Sequence, residues 1–126
     1  MVKQEQDNTN EILTINRELQ LVTEDLQKNT QYAEKLSEIE NVSWQLYKDK
    51  QKTLAELAYY WKGKGANLFL NEAHQENEQS YQRIISHVEK GRSEIKQKKE
   101  LYSVKEQELL IKKMKLRQGE EEGNWA

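Results

Sequence analysis

Apolar residues recur along the first half of the chain in alternating steps of three and four: Ile12, Ile15, Leu19, Val22, Leu26, Ala33 and Leu36, with polar Asn29 interrupting one site. That spacing turns one stripe of an α-helix toward a neighbour. After Leu36 the step changes, passing to Ile39 and then to Trp44, Leu46 and Tyr47, which predicts a rotation of the apolar face near residues 37–43. Leu54, Leu57 and Ala58 carry the stripe onward. In the second half Tyr81, Val88, Ile95, Tyr102, Leu109 and Leu116 repeat every seven residues. Between the two halves lies Trp61-Lys62-Gly63, followed by Gly65, Ala66 and Phe69, the one plausible break in a proline-free run of helix formers.

The break has the chemistry of a helix-turn-helix hinge. Gly63 enters the left-handed region without a Cβ penalty and closes a helix, Gly65 loosens the next step, and Ala66 starts a second helix whose small side chain permits close approach. Trp61, on the last turn of the first helix, covers the base of the crossing near Phe69. The fold class is therefore all-α: a long antiparallel, coiled-coil-like two-helix hairpin with a Trp-x-Gly hinge. Residues 1–126 form one domain, with helix 1 over about 9–61, the hinge at 62–65, helix 2 over about 66–118 and an acidic tail at 119–126. Asn8 and Glu11 have capping-box spacing at the first start, and Gly119 marks the second end.

Reversal at 63–65 sets Ile12 level with Leu116, Leu19 with Leu109, Leu26 with Tyr102, Ala33 with Ile95 and Tyr47 with Tyr81, so the two repeats share one register. The same register places Ile15, Val22 and Leu36 level with Lys113, Glu106 and Arg92, layers expected to seal poorly. Arms of about 50 residues would extend about 75 Å with little third-layer burial. Leu13, Leu21, Val42, Leu46, Ile85, Leu110 and Ile111 are surplus to the seam and are candidates for contact with a partner. Gly91 is either a close-approach site or a tolerated helical glycine.

Composition narrows the function. With 35% hydrophobic and 33% charged residues, the chain suits paired helices rather than a thick core. A net charge of −2 gives no global attraction to nucleic acid, and the absence of cysteine removes disulfides and thiolate metal sites. No apolar run reaches membrane-spanning length, so stable membrane insertion is not expected. Met1-to-Asn10 lacks the hydrophobic stretch of a secretory signal. His74 and His87 stand 13 positions apart, on nearly opposite faces of one helix, and cannot chelate one ion within a protomer. The basic stretch Lys112–Arg117 reads as complement to the helix dipole. No nucleophile-base set, phosphate loop or zinc spacing is present, so neither catalytic residue, metal nor cofactor is expected, and an enzyme is not.

The set Trp61, Gly63, Ala66 and Phe69, centred between two long helices, resembles the WXG family of small helical-hairpin proteins handled by type VII secretion in Gram-positive bacteria. In length the chain is similar to the longer YwqH-like partners of LXG-domain toxins. The resemblance implies a non-enzymatic adaptor, targeting factor or chaperone that binds the helical N-terminal segment of an LXG-type effector, with a second small helical protein as a further partner. It also implies recognition by the secretion ATPase, synthesis in the cytoplasm and export without a cleaved signal. Tyr102-Ser103-Val104-Lys105-Glu106 matches the Tyr-x-x-x-Asp/Glu signal associated with that export, and Tyr102 and Glu106, one turn apart, present a joint surface. Two alternatives stand beside this reading: a self-associating protein exported as a homodimer, and a cytosolic coiled-coil scaffold.

Overall fold

The computed structural model describes residues 2–124, with side-chain surroundings for residues 6–119. Two helices, α1 (Val2–Tyr60) and α2 (Lys64–Asn124), pack antiparallel as an all-α hairpin. Both run past the boundaries read from capping residues. Asn8 is a half-buried seam residue inside α1, not a cap. α2 continues through Gly119, because a helical glycine costs only about 1 kcal/mol relative to alanine when nothing else stops the helix. Of the predicted acidic tail, Trp125 and Ala126 lie outside the described residues.

The reversal is tighter than residues 62–65. Trp61 N–H donates to the Leu57 carbonyl at 2.8 Å, one residue beyond the end of α1, and the Gly63 carbonyl accepts the Asn67 N–H at 2.9 Å to open α2. Gly63 carries the turn with φ of 125°. Gly65, by contrast, lies in the first turn of α2, and a Cβ there would meet nothing within 4 Å; the turn does not require it. Ala66, 1% exposed, is the close-approach residue where the helices converge. Gly63→Val is therefore expected to cost on the order of 1–3 kcal/mol, since a β-branched residue opposes positive φ. Urea unfolding of the variant, with Gly65→Ala as the neutral neighbour, checks this.

Packing falls into two units. The unit built from residues up to Gln31 and from Ile95 onward is centred on Ile15, Val22 and Leu109, flanked by Leu19, Leu26, Tyr102 and Leu116. Ile15 and Val22 are only 3% and 2% exposed, so the layers expected to seal poorly are the best sealed. A seam side chain inserts among several residues of the facing helix and is not governed by the one level with it. Glu106 and Lys113 lie half-buried beside this core. Asn29 is buried in the same seam, its Nδ2 donating to the Ile95 carbonyl at 2.8 Å.

The unit of residues 32–94 keeps the three-four step throughout. Leu36, Glu40, Ser43, Tyr47, Gln51, Leu54 and Ala58 are its buried or half-buried α1 positions, so the predicted rotation near 37–43 does not occur. Polar residues occupy the seam there and are satisfied in place. Glu40 pairs with Arg92, and Ser43 is small enough to bury, which leaves Ile39 and Trp44 on the outside. Leu36 meets Gly91 rather than Arg92: a Cβ at position 91 would stand 2.9 Å from Leu36 Cδ1. Gly91 is a close-approach glycine. Asn77 Nδ2 donates to the Tyr47 carbonyl at 3.2 Å, and His74 Nδ1 shares a 2.6 Å hydrogen bond with Gln51.

Candidate interaction surfaces

The hinge brings together the residues that define it in sequence. The Trp61 and Phe69 rings approach to 5.4 Å at 51°, placed by the Gly63 turn and the short side chain of Ala66 between them. Both residues keep about half of their surface exposed, and Tyr59, Tyr60 and Leu68 beside them are more exposed still. Lys62 and Lys64 stand in the same segment, which contains no acidic residue between Tyr59 and Phe69. The tip is thus an aromatic, cationic surface rather than a sealed cap.

Tyr102 and Glu106 occupy successive turns of α2, each half-buried. Tyr102 packs against the Ile15–Val22–Leu109 core, so its ring is held by the fold. Glu106 has no ion-pair partner among the described residues and is the freer member of the pair. Of the residues surplus to the seam, Leu13, Leu21, Val42, Leu46, Leu110 and Ile111 are exposed. Ile85 is half-buried, covered in part by the hairpin itself. Leu101, Val104 and Met114 join Leu110 and Ile111 in an exposed apolar set on α2 that the seven-residue repeat does not single out.

A three-ring cluster also escaped the sequence pattern. Tyr47 and Tyr81 stack at 4.8 Å, as their shared level requires, and Trp44 joins them at 5.8 and 5.6 Å from the flank. Lys48 Nζ lies 5.4 Å from the Trp44 ring centroid, a cation–π distance. The signal was present in Trp44 standing three residues before Tyr47. His74 is engaged by Gln51 in the seam, and His87 is exposed. Among the described residues no helix is long and apolar enough to cross a membrane.

No family model matches the chain, and no curated protein or solved structure matches it significantly. The two-helix antiparallel hairpin is established by its own geometry.

Proposed function

We propose that the protein is a non-enzymatic secretion partner of the WXG type, an adaptor or chaperone that binds the helical N-terminal segment of an LXG-type effector and brings it to a type VII secretion ATPase. The observation that carries this reading is the hinge, in which the Trp61 ring lies tilted against Phe69 beside the Gly63 turn, midway between two long helices. Exposed apolar residues on both helices support it, since a two-helix hairpin leaves such surface for further helices to cover. The chain is made in the cytoplasm in this scheme and leaves with its effector, or hands the effector over. The test is thermal unfolding of the full chain with and without the N-terminal segment of a co-encoded LXG effector. Stabilisation by about 2.7 kcal/mol is expected when free segment reaches 100 times its dissociation constant. An unchanged midpoint across that titration would sink the reading. A stable homodimer indifferent to the segment would transfer it to the self-associating alternative.

A further inference from the structure

A cleft of about 390 Å³ opens between the helices on one side of the unit of residues 32–94, lined in part by Asp49, Lys50 and Thr53 of α1 and by Ala73, Glu76 and Ser80 of α2. The cleft fixes which surface positions of the two helices share a side. Counting along α1 from Thr53 and Asp49 by helical threes and fours leads to Leu46, Val42, Ile39, Lys35 and Tyr32; counting along α2 from Ser80 leads away from the hinge to Arg83, His87, Lys90 and Glu94, and toward it to Glu76 and Glu72. The α1 row is exposed and apolar from Ile39 to Leu46, with Val42 at 66% and Leu46 at 51%, and carries Lys35 beside Tyr32. The α2 row is exposed, with Arg83 and Lys90 followed by Glu94 in its part away from the hinge and Glu76 and Glu72 toward the hinge, and neither Arg83 nor Lys90 forms an ion pair among the described residues. On the other side of the same unit the surface is already engaged, with Trp44 against Tyr47 and Tyr81, and Arg92 against Glu40.

We propose that this free side seats one amphipathic helix of a partner protein, acidic in its first half and basic in its second, lying parallel to α1. The assignment deepens the secretion-partner reading and rests on it for the partner being helical. The row from Tyr32 to Thr53 spans about 30 Å, room for about 20 residues of helix. An apolar stripe on that helix covers Ile39, Val42 and Leu46. Lys35, Arg83 and Lys90, which outnumber Glu94 there, call for carboxylates on its flank, while Asp49, Glu76 and Glu72, which outnumber Lys50 at the cleft, call for cations nearer the hinge. α1 runs toward the hinge, so acid at Lys90 and base at the cleft give the partner the direction of α1. The same charge order suits the partner helix by itself, because carboxylates favour a helix N-terminus and cations a C-terminus. The polarity that is stable alone is thus the polarity that docks.

Binding of the full chain to two synthetic amphipathic peptides of about 20 residues, equal in composition and apolar stripe but opposite in charge order, tests the assignment. The acid-first peptide is expected to bind about tenfold or more tightly than the base-first one. R83E/K90E should lower its affinity by a similar factor, whereas Lys112→Glu with Lys115→Glu, in the other unit, should not. V42S, at an exposed position, should weaken binding with an unchanged melting temperature. Equal binding of both peptides, binding of neither, or equal loss in the two charge variants overturns the proposal. So does a wild-type homodimer that V42S dissolves, since a second copy would then occupy the side. An LXG effector segment that binds wild type, R83E/K90E and V42S alike would overturn this face while leaving the secretion-partner reading intact.

Discussion

Ile15→Ala is expected to lower the stability of the hairpin by about 2–5 kcal/mol, and Leu13→Ala, two residues away, by no more than about 0.5 kcal/mol. The residues are similar in size and hydrophobicity, and the local helix is the same. Ile15 lies at the centre of the Ile15–Val22–Leu109 cluster, however, while Leu13 is exposed. A hairpin of two helices has few such sites, and a loss of this size is a large fraction of the 5–15 kcal/mol that holds an ordinary domain together. Truncation also leaves a gap that the seam cannot close from a third side, which places the cost toward the upper part of the range. Urea unfolding of both variants against wild type decides the matter. A cost below about 1 kcal/mol for Ile15→Ala would mean that the buried cluster is not what holds this part of the hairpin.

Loss of export is the second large effect. In a cell with an active type VII system, Glu106→Ala is expected to abolish most secretion of the protein or its bound effector while the intracellular complex persists. Glu106 shares an edge of α2 with Tyr102, is half-buried and contributes no ion pair among the described residues, so its removal costs the seam less than removal of the packed Tyr102 ring. Tyr102→Ala should also reduce export, but through two routes at once. Its ring packs on the Val22 and Leu109 cluster, and deleting a packed aromatic weakens the fold as well as the recognition edge. The informative comparison is the ratio of secreted to intracellular complex for each variant. Wild-type export with Glu106→Ala and an intact complex would remove this pair from the export signal, and the adaptor role would then depend on a signal in the partner.

Much of the hairpin was legible as period. The heptad from Tyr81 to Leu116 and the three-four series from Ile12 to Leu36 placed Tyr47 against Tyr81 and gathered Leu26 and Tyr102 around one core. Positions 37–43 failed because periodicity was followed through apolar residues alone. Ile39 and Trp44 drew the predicted stripe off the seam, whereas the helix kept its step and accepted Glu40 and Ser43 inside. The fates of Asn29, Asn77, Gln51 and His74 were illegible for a related reason. A buried amide is tolerated only when it finds a partner, and those partners, the Ile95 and Tyr47 carbonyls among them, lie on the opposite helix at a stagger that the sequence does not state. At the hinge Gly63 carries the positive φ, Ala66 is buried and Phe69 lies against Trp61. Gly65 was given a role on composition, where only φ and near neighbours could decide.

The contact of Leu36 with Gly91 works as a key in a notch. Sliding α2 along α1 by one heptad would again set apolar stripe on apolar stripe, so hydrophobic burial alone discriminates poorly among such staggers. The notch does discriminate: a slip of that size would bring Leu36 to Ile84 or Lys98, where a full side chain stands in place of a hydrogen atom. One absent methyl group thereby selects among chain alignments of similar greasiness, and fixes how much backbone is left for the turn at Gly63. Transplanting the glycine to position 84, with Ile84 moved to 91, would ask the same composition to fold with a different loop length.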